Sequence, residues 1–155
     1  MDPSASLAEK VVDQAGDAII YADRTGMIRR WNRAAATLFG FTAEEALGQS
    51  LDLVIPDHLR AAHWRGFDAA MASGALKLAG RPTLTRASRK SGRKLYVEMT
   101  FALVGGDSAS EGSVAIARDG DHARSWGGCK FSRLSSPFWE RRAYAKAGLA
   151  GEACR

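Results

Sequence analysis

Residues Lys94 to Val104 alternate without a break, with Leu95, Val97, Met99, Phe101 and Leu103 on one side and Tyr96, Glu98, Thr100 and Ala102 on the other. Successive side chains of an extended strand point to opposite faces, so this segment reads as a half-buried strand. A one-sided strand of this length needs a one-sided sheet and helices to cover its apolar face. The rest of the chain supplies both. Ala18-Ile-Ile-Tyr-Ala22 and Met27-Ile-Arg-Arg-Trp31 read as a hairpin closed by Asp23-Arg-Thr-Gly26, with Gly26 where a positive φ is needed. Thr83 to Arg89 is a further strand, followed by the turn Lys90-Ser-Gly-Arg93. Gly105 to Ser110 reads as a loop and Ser113 to Ala117 as the last strand.

Between the hairpin and these strands the periodicity is helical. Asn32 caps a short helix through Phe39, which Gly40 ends. Thr42-Ala-Glu-Glu45 is a capping box opening a second short helix closed by Gly48. Asp52 to Pro56 is a connector. A longer helix runs from about Asp57 to Ser73 and stops at Gly74. The order ββ-ααα-βββ gives an α+β domain with one antiparallel sheet against short helices. An amphipathic helix over residues 4–15 precedes it, with Leu7, Val11 and Val12 on one side. The expected organisation is an N-terminal helix over 1–15, a domain over 16–119 and a tail over 120–155.

Charge divides along the same boundary. The chain of 155 residues carries a net +5, but residues 1–119 hold 15 Lys and Arg against 14 Asp and Glu, while 120–155 hold 7 against 3. The basic balance therefore belongs to the tail and gives no reason to expect nucleic-acid binding by the domain. The tail reads as a disordered basic end; the other reading is a partner- or membrane-binding peptide anchored by Trp139 and Tyr144. No apolar run reaches membrane-span length, and the N-terminus has no signal-peptide pattern. Cys129 and Cys154 lack metal spacing, so a reducing, cytoplasmic setting is expected. No phosphate loop, Ser/His/Asp set or carboxylate pair stands out, and the chain is not expected to be an enzyme.

One helix carries chemistry. Leu59, His63, Gly66, Phe67 and Ala70 share the i, i+4, i+7, i+8, i+11 face of the Asp57–Ser73 helix. A histidine on such a face is either packed and hydrogen-bonded to a backbone carbonyl or water, or it holds a flat metal cofactor in the interior. Arg60 could pair with an acidic group of such a cofactor or with an acidic neighbour. His58 and His122 read as exposed. Trp31 reads as packed on a helix, and Trp64 as surface packing or a partner contact.

Asp23-x-x-Gly26, Trp31-Asn32, Leu38-Phe-Gly-Phe-Thr-Ala-Glu-Glu-Ala-Leu-Gly48, Ile55-Pro56, Gly92 before the long strand and Arg118-Asp119 together resemble a PAS domain, in order and spacing, over roughly residues 10–119. The resemblance implies a five-stranded antiparallel sheet flanked by short helices, in a sensory module that forms homodimers and acts on a histidine kinase or regulator in trans. Ile55-Pro-x-x-x-Arg60-x-x-His63 further resembles the haem-PAS oxygen and redox sensors. That likeness makes His63 the axial metal ligand of haem b, with a diatomic gas as the sensed molecule. It puts Met99, Phe101 and Leu78 at pocket-lining positions. Arg81 falls at the position of a distal methionine ligand, and Thr83 at that of a ligand-binding arginine. Val97 belongs to the same apolar wall, and Gly66 and Phe67 to the helix face that the cofactor would approach. Thr83 cannot do an arginine's work, which Arg81, two residues away on the same strand face, is expected to take over, and Phe101 is larger than the usual aliphatic there. A light-sensing flavin domain would need a cysteine within the domain, which this chain lacks.

Overall fold

The hairpin comes first and sets the sheet. A computed structural model describes residues 6–77, 79–106 and 109–120 of the chain. Strands β1 (Ala18–Asp23) and β2 (Ile28–Trp31) pair antiparallel through the turn at Gly26. Asp23 stabilises that turn by accepting from the Thr25 amide and hydroxyl at 2.9 and 2.6 Å, the Met27 amide at 3.2 Å and Arg29 Nε at 2.6 Å. The Thr25 hydroxyl, Arg29 and the two amides hold the Asp23 carboxyl far below the usual carboxylate range.

Three further strands follow, β3 (Thr83–Ser88), β4 (Lys94–Gly106) and β5 (Ala109–Asp119). The sheet order is β2-β1-β5-β4-β3, and every neighbouring pair is antiparallel. The sheet therefore has the expected five strands. The stretch expected as a loop between β4 and β5 is shorter than its sequence suggests, because β4 runs on to Gly106 and β5 begins at Ala109. Gly105 pairs with Ser110, so ladder bonds between the two strands extend both of them.

Side-chain caps open the first three helices, and left-handed glycines close the second and the fourth. Helix α1 (Leu7–Gln14) opens on a capping box in which Ser6 Oγ accepts from the Glu9 amide and Glu9 accepts from the Ser6 amide. Helix α2 (Arg33–Phe39) is capped by Asn32 and ends at Gly40, with φ +82°. Helix α3 (Ala43–Ala46) carries the Thr42–Glu45 box. The expected connector contains a 3-10 turn over Leu51–Leu53. Helix α4 (Asp57–Ser73) follows Pro56 and closes on Gly74, whose amide donates to the Ala70 carbonyl at 2.9 Å.

The core lies between the helices and one face of the sheet. Ala18, Ile20 and Ala22 of β1, Leu95 and Val97 of β4 and Ala117 of β5 form one buried cluster with Phe39 of α2 and Phe67 and Met71 of α4. The small residues of β1 and β5 leave space over the middle of the sheet for these larger helix side chains. Trp31 packs on Phe39 with ring centroids 5.4 Å apart and donates to the Phe41 carbonyl, as expected for a tryptophan closing a hairpin strand. Alternation along β4 is strict only at Leu95 and Val97; Met99, Phe101 and Leu103 are half-buried. Helix α1 buries none of its residues, and Leu7 and Val11 stay 78% and 61% exposed.

Candidate functional site

Helix α4 presents Leu59, Phe67, Ala70 and Met71 to the core, and His63 lies in the middle of that stripe. The imidazole is half-buried, stacked on Phe67 at 5.9 Å and met edge-on by Trp64 at 5.1 Å. Trp64 and Phe67 also touch edge to face at 5.5 Å, so the three rings form a closed triangle. His63 Nδ1 is fully enclosed and has no hydrogen-bond partner. Burial pushes the His63 pKa below its ordinary value, while the negative charges of Asp52 and Asp68 pull it part of the way back.

This shift sets a direction for stability. The unfolded chain binds the His63 proton more readily than the folded one does, so stability rises with pH wherever only the unfolded state is protonated. The native state should therefore keep its full stability above about pH 6.5 and lose some as the pH falls below that, until the buried imidazole also protonates. Urea midpoints for wild type and His63→Gln at pH 7.5 and 5.5 check this. The wild type should lose ground to the variant at the lower pH. An unchanged difference would mean that the folded protein solvates the imidazole as well as water does.

The candidate residues on the sheet come together on its inner face. Thr83 pairs with Met99, which pairs with Ala117; Phe101 pairs with Ala115; Val97 lies between Thr85 and Asp119. Thr83 is buried and Val97 completely so, whereas Met99 and Phe101 are half-buried. Phe67 and Val97 belong to the same core cluster, and Met99 packs against it.

Three candidates are placed apart from this group. Gly66 is exposed, and a methyl group added there would meet no protein atom within 4 Å. Arg81 is exposed and precedes β3, so it does not share the inner face with Thr83. Arg60 takes the acidic-neighbour option. Its guanidinium donates to the carbonyls of Ile55 and Asp52 at 3.2 and 3.0 Å and pairs with Asp57 at 2.8 Å. Leu78, His122, the cysteines and the rest of the tail from residue 121 lie outside the described residues. His58 is exposed, as expected.

Two residues escaped the sequence pattern. Trp64 Nε1 donates to the Asp52 carboxylate at 2.9 Å, and the indole lies against the hairpin turn at Gly26. In the sequence Asp52 reads only as part of a connector. Contacts between residues this far apart in sequence leave no local periodicity; the one available clue was the positive φ expected at Gly26, which is observed at +77°.

A five-stranded antiparallel sheet flanked by short helices is the architecture that the sequence motifs anticipate, and the structure gives it the order 2-1-5-4-3. The model of the PAS fold family matches residues 7–120. This chain is a PAS domain protein. A relative from Azorhizobium caulinodans is 32% identical over 98 residues, which is 63% of this chain but only 13% of the length of that relative. Among solved structures, the PAS domain of a protein from Colwellia psychrerythraea has a TM-score of 0.62 at 24% identity, covering 71% of this chain and 91% of that one. The quorum-sensing receptor PAS domain of Cronobacter turicensis, in complex with BDSF, has a TM-score of 0.53 at 20% identity, covering 70% and 98%. The PAS domain here is a signalling sensor module. Among its described residues no helix is long and apolar enough to cross a membrane.

Proposed function

We propose that this PAS domain takes its signal at His63, with haem b as the group that the imidazole would hold. The enclosed, unpartnered Nδ1 carries the proposal. A histidine that only fills space is expected to bond to a neighbouring carbonyl, and leaving a buried polar atom unsatisfied costs about 1–3 kcal/mol. An occupant would offset that cost only if the ring turns to bring Nδ1 to it, since protein atoms enclose Nδ1 in this structure. Burial also favours the neutral ring, which is the form that donates a lone pair to a metal.

His63 would be the protein ligand of the haem, and Val97, Met99 and Phe101 would supply an apolar wall. Haem b, when bound, supplies an iron that takes up diatomic gases and changes oxidation state. Arg60 is committed to Asp52, Ile55 and Asp57, and Gly66 faces solvent, so neither contributes to holding the group. The Cronobacter domain in complex with BDSF supports the general point that a domain of this fold can hold a small molecule. The chain would act by passing its signal to a histidine kinase or regulator in trans, not by catalysis.

A second reading is favoured by a different observation. Leu7 and Val11 on α1, with Val104 and Ile116 on the sheet, are exposed large apolar residues. They suit a module that dimerises through these surfaces without a cofactor. Absorbance after haem reconstitution of wild type and His63→Ala separates the two. A stoichiometric Soret band that shifts with dithionite and carbon monoxide, and is lost in His63→Ala, is the expected result. Weak binding indifferent to the substitution would sink the haem proposal and leave a colourless interaction module.

A further inference from the structure

We propose that Trp64 is a positioning residue that couples the state of His63 to the β1–β2 hairpin. The coupling adds to the reading of His63 as the sensing point and draws its biological meaning from it. The observations come from three elements that meet at one junction. On α4 the indole touches the imidazole edge-on and Phe67 stacks on it, so a tilt of the imidazole toward either ring presses on that ring.

The indole itself is fixed from two further sides. Its N–H bonds to the carboxylate of Asp52 in the 3-10 turn, and the Asp52 carbonyl is in turn held by Arg60. Its six-membered ring lies directly on Gly26, where even a methyl group would come within 2.2 Å of Cη2. The Gly26 carbonyl accepts from the Leu51 amide at 3.0 Å, which ties the hairpin to the same 3-10 turn. The Ile28 amide donates to Gln49, and the Gly48 amide to Ile28, each at 2.8 Å. A displacement of the imidazole is therefore passed by the indole to the Gly26 turn and to the bonds at Leu51 and Ile28. Asp52 adds a second route, because its charge acts on His63 while its carboxylate holds the indole.

A double-mutant cycle on the full chain tests this without any ligand. Native-state hydrogen exchange is read at the Leu51 and Ile28 amides, relative to the Lys90 and Gly120 amides, which bond to Phe39 and Tyr96 away from the 3-10 turn. In the wild-type background, His63→Gln should change the relative protection at Leu51 and Ile28 by about threefold or more. In the Trp64→Phe background the same substitution should change it by less than about half of that. If Trp64→Phe does not fold, Asp52→Ala removes the acceptor of the indole N–H together with the charge that acts on His63, and the cycle in that background should lose the coupling through both routes. Equal changes in both backgrounds, or no change in either, would overturn the proposal. The haem reading fails separately: loss of the Soret result with this coupling intact removes the cofactor alone, and a Soret result without the coupling removes only the role of Trp64.

Discussion

Asn32→Ala should be the most damaging substitution of a polar side chain in this domain, lowering stability by about 3–5 kcal/mol. The side chain is almost fully buried, and all of its hydrogen-bonding capacity for backbone groups is in use. Its oxygen accepts from the Ile19 and Ala35 amides at 2.9 Å each, and its nitrogen donates to the Val12 and Asp17 carbonyls at 2.9 and 3.0 Å. One residue thus caps α2, satisfies a terminal carbonyl of α1 and fixes the start of β1. Loss of an N-cap alone costs about 1 kcal/mol. Each further backbone group left unpaired in a buried place costs about 1–3 kcal/mol, reduced where water can reach it. Against a typical domain stability of about 5–15 kcal/mol, the loss should be plain in urea unfolding. Asn32→Asp separates the two halves of the role: it keeps the acceptor for Ile19 and Ala35 and loses the donor to Val12 and Asp17. It also turns a buried carboxylate oxygen toward the Val12 and Asp17 carbonyls, so it should be no more stable than alanine near neutral pH, with the extra exchange at α1 and the start of β1. A loss under about 1 kcal/mol for alanine would mean that Asn32 serves as a helix cap and nothing more.

The capping half of that role could be read from the sequence, and the tethering half could not. Asn32 stands before an apolar-periodic stretch, which is a local signal. Its bonds to Val12, Asp17 and Ile19 depend on where the chain folds back. The same division runs through the fold. The hairpin, the inward row at Leu95 and Val97, the Thr42 box and the bounds of α4 were legible because each depends on near neighbours. The early part of β5 was not. Ser110, Glu111 and Gly112 alternate weakly, and it is pairing with β4 and β1 that makes this stretch a strand.

In the candidate site, helical spacing placed His63 correctly on the inward stripe with Leu59, Phe67 and Ala70. It could not say what lay at the two margins of that stripe. Gly66 and Trp64 flank it on opposite sides; the hairpin came to lie against Trp64, and solvent against Gly66. Arg60 was ambiguous in sequence for a similar reason, since its carbonyl partners are set by the 3-10 turn. The inner-face grouping of Thr83, Val97, Met99 and Phe101 follows from strand register, whereas Arg81 falls outside the strand and so outside the alternation that would have turned it inward.

Gly26→Ala should lower stability by about 2–5 kcal/mol, and a comparison with Gly48→Ala shows how much of that comes from Trp64. The two glycines adopt nearly the same left-handed backbone, with φ of +77° and +78°. For a residue with a Cβ this conformation costs about 1–2 kcal/mol. Around Gly48 an added methyl group meets nothing within 4 Å, so Gly48→Ala should show only this backbone cost. At Gly26 the methyl would lie 2.2 and 2.4 Å from Cη2 and Cζ3 of Trp64. The indole cannot swing aside freely, because its N–H is bonded to Asp52 and it meets His63 and Phe67 in T-shaped contacts. Overpacking of this kind adds about 1–3 kcal/mol. Thermal and urea unfolding of the two variants should therefore differ by roughly that amount, with Gly26→Ala the weaker. Should the two variants unfold alike, the indole must yield at little cost, and Gly26 would then be glycine for its backbone alone.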